Sequence, residues 1–119
     1  MQTLIHVICR GGPSLRDAIA RDRRIEEFHL VVSETKRMDR SQGWSKLHST
    51  LGRAHGAVNV QWVPASSLLL CRVVTRGRDP GLVTGQFVGY LVSRFRARIQ
   101  AIHVAPERSW PVRRRAAAS

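Results

Sequence analysis

Cysteine and long apolar stretches are both scarce in this sequence. The two cysteines, Cys9 and Cys71, each lie inside an apolar run, where free cysteine usually behaves as a small buried hydrophobe, so a disulfide scaffold is not expected. The uncharged run from Pro80 to Ser93 is shorter than the roughly 20 residues that cross a bilayer. No basic region precedes the first apolar stretch, which argues against a signal peptide. We therefore expect a cytoplasmic protein without a membrane partner.

Acidic residues are also scarce, and their distribution is uneven. The 8 Asp and Glu residues are outnumbered by 20 Lys and Arg, which gives a formal net charge of +12. Residues 1–35 carry five cations and five anions, whereas residues 36–78 carry eight cations against Asp39 alone, a net charge of +7. A segregated positive field attracts anionic partners and speeds their association. The middle third of the chain is the predicted contact surface.

The remaining composition is that of an ordinary folded domain. With 119 residues, 43% of them hydrophobic and 24% charged, the chain suits one domain with a packed core. We assign residues 1–106 to a single α/β domain and residues 107–119 to a basic C-terminal tail. The tail contains Arg113, Arg114 and Arg115, and it fits either a polyanion-binding arm or a solvated terminus.

The N-terminal third predicts a strand, a helix and a second strand. Residues 4–10 are rich in β-branched side chains and end at Gly11-Gly12-Pro13, which is typical of a strand followed by a break. Ser14 and Asp17 form a capping box, so a helix should begin at Leu15. Residues 28–33 predict the second strand. Its connection through a helix favours a parallel orientation to the first strand.

The middle of the chain contains one segment of ambiguous secondary structure, followed by a segment with a clear β pattern. Trp44, Leu47, Leu51 and Ala54 recur at helical spacing, which predicts a short helix ending near Gly56, and a strand centred on Leu47 is the alternative. Residues 58–63 and 68–76 are β-rich and flank a Pro-containing turn, so they predict an antiparallel hairpin.

The C-terminal third predicts the main core helix and a last strand. Asp79-Pro80 is a strong helix start, because the aspartate caps free amides and proline fits the first helical position. The helix should extend to about Arg96 on a wide apolar face. Residues 98–104 predict the final strand.

These elements together predict an α+β fold. The expected architecture is a two-layer α/β sandwich, in which a mixed sheet of about five strands carries two main helices on one face. The element order corresponds to a split β-α-β, or ferredoxin-like, variant with an insertion before the hairpin. Such folds host many functions, so the function has to be argued from a site.

The predicted site lies within the basic middle of the chain. Arg72, Arg76 and Arg78 should share one strand face, with the first two about 13 Å apart at about 3.3 Å per residue. Trp44 offers a stacking surface for an unpaired base. The full predicted nucleic-acid site is Lys36, Arg37, Arg40, Trp44, Lys46, Arg53, Arg72, Arg76 and Arg78. The expected partner is RNA, single-stranded DNA or a ribonucleoprotein surface, bound without enzymatic turnover.

Glycines on the predicted core helix suggest a close contact of another kind. Gly81, Gly85 and Gly89 recur every four residues, although each glycine costs about 1 kcal/mol relative to alanine in a helix. Such a smooth stripe is expected to pack tightly within the fold. The alternative is a homodimer formed through this helix face, in which case the protein is an interaction subunit.

Histidines provide the basis for an alternative function. His6 and Cys9 should lie on opposite faces of their strand, which is unsuitable for a shared metal, and no metal or cofactor is expected. Neighbouring strands could, however, bring His6 and His103 together. The alternative is therefore a small metal-independent nuclease or phosphodiesterase that uses the strand histidines as acid and base.

Overall fold

Six strands and two α-helices form the part of the chain that the computed structural model describes, residues 2–38, 41–52, 56–75 and 81–106, with backbone alone for residues 34–38 and 41–43. The strands are β1 (Gln2–Cys9), β2 (Leu30–Met38), β3 (Ser41–Ser49), β4 (Ala57–Val63), β5 (Leu68–Val74) and β6 (Ile99–Pro106). The helices are α1 (Leu15–Arg21) and α2 (Gly81–Phe95). Short 3-10 helices cover Arg23–Phe28, Pro64–Ser66 and Arg96–Arg98.

The described strands form one sheet in the order β2-β3-β4-β5-β1-β6, and each neighbouring pair is antiparallel. Strands β2 to β5 form a meander, while β1 lies between β5 and β6. The predicted α+β class with two main helices is confirmed. The sheet differs from the prediction, because it has six strands and is antiparallel rather than mixed. The ferredoxin-like arrangement is not confirmed.

Alternating burial along the strands explains how the sheet acquires two different faces. In β1, Ile5 and Val7 are fully buried while His6 between them is exposed. In β4, Val58, Val60 and Trp62 are buried while Gln61 is exposed. Successive side chains of a strand point to opposite faces, so a period of two produces one core face and one solvated face.

Both helices pack on the core face of the sheet. Helix α1 contributes Leu15 and Ile19, which are fully buried. Helix α2 contributes the buried residues Val83, Phe87, Tyr90 and Leu91. These helix residues and the buried strand residues belong to a single hydrophobic cluster. The N-terminus of α1 agrees with its prediction, because the Ser14 hydroxyl accepts a hydrogen bond from the Asp17 amide at 3.2 Å.

Two local predictions need correction. The helix predicted across Trp44 and Leu47 is wrong, since residues 41–49 form strand β3 and pair with β2 and β4. Trp44 and Leu47 lie on opposite faces of that strand, so their helical spacing does not describe one apolar stripe. Strand β2 has the same direction as β1, as predicted, but three other strands separate the two. The predicted hairpin is confirmed as β4 and β5.

Asp22 joins the helical elements to one another. Its carboxylate accepts hydrogen bonds from the Tyr90 hydroxyl (2.9 Å), from Arg94 Nε (3.0 Å) and Nη2 (2.9 Å), and from the Arg24 amide (3.0 Å). Only 5% of its side chain is exposed. Hydrogen bonding by Arg94 is the main cause that lowers the pKa of Asp22 below its ordinary value. The carboxylate therefore fixes α2 against the 3-10 helix that follows α1.

Replacing Asp22 with asparagine should lower the free energy of unfolding by about 2 kcal/mol at neutral pH, because charged hydrogen bonds in a poorly solvated place are lost. Folding lowers this pKa, so the stabilisation is complete above the unfolded-state pKa of about 3.9 and is lost as the pH falls through the lower folded-state pKa. Urea unfolding measures the free energy of unfolding of both proteins. The difference between the wild type and Asp22→Asn should become smaller as the pH is lowered from about 7 to about 2. The exposed Glu27→Gln substitution is the control and should change stability little. An Asp22→Asn protein as stable as the wild type would contradict this account.

Candidate nucleic-acid interface

The second face of the sheet carries the candidate site, and we call it the open face. It consists of the strand residues that alternate with the core residues. The side chains of His6, Gln61 and Arg72 are exposed, although their strands β1, β4 and β5 lie in the interior of the sheet. Because the described helices pack on the other face, polar and charged side chains can remain solvated here.

A cleft of about 640 Å³ lies on the open face. Strands β1, β3, β4 and β5 supply its lining, which includes the aromatic ring of Trp44, the amides of Asn59 and Gln61, the apolar Leu4 and Leu70, and the cationic or titratable Arg72 and His6. An apolar concavity with a few convergent polar groups is typical of a ligand site.

The pairing register explains why these residues meet. Trp44 is opposite Gln61, Gln61 is opposite Leu70, and Leu70 is opposite His6, so these four residues form one row across the sheet. Neighbouring strands are about 4.8 Å apart, so Trp44 and His6 are separated by roughly 14 Å at the backbone. The adjacent row contains Lys46, Asn59, Arg72 and Leu4.

The structure brings together three of the predicted site residues. Trp44, Lys46 and Arg72 lie on the open face, in adjacent rows, and Trp44 and Arg72 line the cleft. Lys36 and Arg37 lie in β2, where Lys36 is opposite Trp44 in the ladder, and their side chains are not described. The other four predicted residues, Arg40, Arg53, Arg76 and Arg78, lie outside the described residues, as does the tail, residues 107–119.

Three cations of the helical layer are paired with carboxylates. The three ion pairs found among the described side chains are Arg16 with Asp17, Arg24 with Glu27, and Arg94 with Asp22. All three lie on or beside the helices. Lys46 is opposite Glu34 in the ladder, whereas Arg72 is opposite Asn59 and Leu4. Arg72 is therefore an exposed cation of the open face, and the residues directly opposite it in the described ladders carry no charge.

Four residues of the open face were missing from the predicted binding site. Asn59 and Gln61 alternate with the buried Val58, Val60 and Trp62, and this period of two in the sequence could have identified them. His6 and His103 were predicted only as an alternative acid–base pair. Their proximity to Arg72 depends on the strand order, which local sequence patterns do not specify.

The two cysteines are buried, and His6 and Cys9 lie on opposite faces of their strand, as the strand pattern predicts. Cys9 and Cys71 are free thiols and buried, and His6 lies on the open face, opposite in direction to Cys9. Burial raises the pKa of both thiols. Within the described residues, no group of three or more His, Cys, Asp or Glu side chains is arranged to hold a metal ion.

Comparison with models of known protein families, with curated proteins and with solved structures gave no match. Among the helices in the described part of the chain, none combines the length and the apolar character needed to traverse a bilayer.

The glycine stripe of α2 does not pack inside the fold, so that prediction is wrong. Gly81, Gly85 and Gly89 are exposed, and a Cβ atom added at Gly85 or Gly89 would meet nothing within 4 Å. Leu82 and Val92 on the same helix are each 38% exposed. Homodimerisation through this face stays a prediction.

Thiol labelling tests the assignment of the two sheet faces. An Arg72→Cys protein should react rapidly at one thiol with a maleimide under native conditions, whereas Cys71, the preceding residue, should react only when the sheet opens. The wild-type protein, with both native thiols buried, is the matched control. Equal labelling of the variant and the wild type would contradict the assignment of position 72 to an exposed face of the sheet.

Substitution of leucine for Gly85 or Gly89 tests whether the glycine stripe only lowers helix stability or also allows two copies of α2 to pair. Each substitution has open space and should stabilise the monomer by about 1 kcal/mol, the helix-propensity difference. If α2 pairs with a second copy, the same changes should weaken the dimer, because close helix approach requires small side chains. Sedimentation velocity over a range of concentrations distinguishes the monomer from the dimer by mass, for the wild type and for each variant. A wild-type protein that remains monomeric throughout would rule out the homodimer.

Proposed function

We propose that this protein is a binding module for single-stranded nucleic acid, with the ligand held across the open face of the sheet. The observation that carries the proposal is the convergence of Trp44 and Arg72 on one cleft. These residues come from different strands and supply the two interactions that a single strand offers without base pairing, which are stacking and phosphate contact.

Trp44 supports the stacking contact. It lies in β3 at the row shared with Gln61 and Leu70, and its side chain is only partly buried. Tryptophan packed fully into a core would have no free face. A partly exposed indole beside a cleft can stack on one unpaired base, an interaction of about 1–3 kcal/mol.

Arg72 supports the phosphate contact. Its side chain is exposed, and its cross-strand neighbours Asn59 and Leu4 carry no charge. A guanidinium offers five N–H donors in a planar fork that matches phosphate oxygens. Lys46 lies in the same row, two strands away, and adds positive potential along it.

Asn59 and Gln61 support contact with the edge of the base. Each side-chain amide carries both a donor and an acceptor, as do the Watson–Crick edges of unpaired bases. Both amides line the cleft between the Trp44 and Arg72 strands. A base stacked on Trp44 would therefore lie near two side-chain amides that can form hydrogen bonds with its edge.

Charge reversal at Arg72 tests the proposal against a matched control. We expect Arg72→Glu to weaken binding of a fluorescent single-stranded oligonucleotide, measured by anisotropy, because one phosphate contact becomes repulsive. Arg23→Glu makes the same charge change at an exposed position on the helical layer and should have a much smaller effect. The log–log salt slope for the wild type should be at least about 3 in magnitude, and Arg72→Glu should reduce it by about 0.7 per lost phosphate contact.

The control variant decides between a site and general basicity. Equal losses in Arg72→Glu and Arg23→Glu would mean that net charge, rather than the cleft, attracts the nucleic acid. A wild-type affinity that does not respond to salt would contradict the proposal outright. Trp44→Ala should weaken binding without changing the salt slope, since stacking releases no counterions.

A further inference from the structure

Two histidines stand side by side on the open face. His6 in β1 is directly opposite His103 in β6, and both side chains are exposed. Directly opposed residues of antiparallel strands have Cβ atoms about 4.5–5.5 Å apart on the same face. The imidazoles can therefore reach a common group placed above them.

Arg72 completes the arrangement from the other side of His6. Leu70 of β5 is opposite His6, and Arg72 lies two residues farther along β5, on the same face. Such diagonal neighbours have Cβ atoms about 7–8 Å apart, which long side chains can bridge. Of the three residues, His6 is central, and both His6 and Arg72 line the cleft.

These three side chains match the requirements of phosphodiester cleavage in RNA. The reaction needs a base for the 2′-hydroxyl, an acid for the leaving oxygen, and a cation for the charge that develops on the phosphoryl oxygens. Histidine can accept or donate a proton near neutral pH, and arginine remains charged throughout.

We propose that single-stranded RNA held in the cleft is cleaved by His6 and His103, with Arg72 on the scissile phosphate. This inference rests on the proposed function, because it requires RNA in the cleft. The inference also goes beyond the proposed function, because it assigns an activity and a substrate class. The substrate is RNA rather than DNA, since only RNA carries the 2′-hydroxyl that serves as the nucleophile.

The step is an internal transesterification. One imidazole, neutral at the start, removes the proton of the 2′-hydroxyl as that oxygen forms a bond to phosphorus. The bond between phosphorus and the 5′-oxygen breaks, and the second imidazole, protonated at the start, gives its proton to that oxygen. The products are a strand ending in a 2′,3′-cyclic phosphate and a strand with a free 5′-hydroxyl. The two histidines exchange their protonation states, and solvent restores them.

The test uses the full chain, a fluorescent single-stranded RNA and EDTA in the buffer. The wild type should produce fragments ending in 2′,3′-cyclic phosphate, and a DNA strand of the same sequence should remain intact. His6→Ala and His103→Ala should each slow cleavage by about 100-fold or more, the usual contribution of one acid or base. His48→Ala is the matched control and should cleave at the wild-type rate, because His48 lies on β3 opposite Ala57, away from this pair.

Binding is measured separately with a 2′-O-methyl RNA that cannot undergo this reaction. Variants that bind it with wild-type affinity but do not cleave RNA support the assignment, and this binding also shows that they are folded. Binding by the wild type without any cleavage overturns the proposed activity and leaves the binding function intact. Cleavage that persists in both histidine variants also overturns it. Failure of the wild type to bind either RNA overturns the proposed activity, and failure to bind single-stranded DNA as well overturns both proposals.

Discussion

The structure depends on the pleat of its strands, which separates each strand into a buried side and an open side. On the buried side, residues such as Ile5, Val60 and Leu69 pack under the two helices and are fully buried. On the open side, the intervening residues of the same strands form the cleft. A shift of one residue in any ladder would exchange the two sets, so core packing also fixes the geometry of the candidate site.

The antiparallel meander explains why, within the described part of the chain, both α-helices lie on one side of this sheet. Strands β2 to β5 follow one another, and the two α-helices occur in the connection after β1 and the connection before β6. Both helices pack against the same face. In sheets of this kind one solvated face is common, because short connections do not carry helices across to it.

Local patterns in the sequence predicted much of this fold, and the limits of the prediction have physical causes. The cap at Ser14, the hairpin of β4 and β5 and the core face of α2 depend on neighbouring residues, and they are confirmed. Strand β3 was predicted as a helix because its apolar residues have ambiguous spacing, and pairing with two neighbours decides its structure. The grouping of His6, His103 and Arg72 depends on β1 lying between β5 and β6, which is a long-range property.

Charge placement links the fold to the proposed function. A net charge of +12 on 119 residues opposes compaction through self-repulsion. In the helical layer, acids neutralise part of it, since Arg16, Arg24 and Arg94 are each paired with a carboxylate. Arg72 on the open face has uncharged cross-strand neighbours. A bound phosphate chain would neutralise Arg72, as the carboxylates neutralise the paired arginines of the helical layer. Ligand binding would therefore stabilise the folded state and also reduce its charge repulsion.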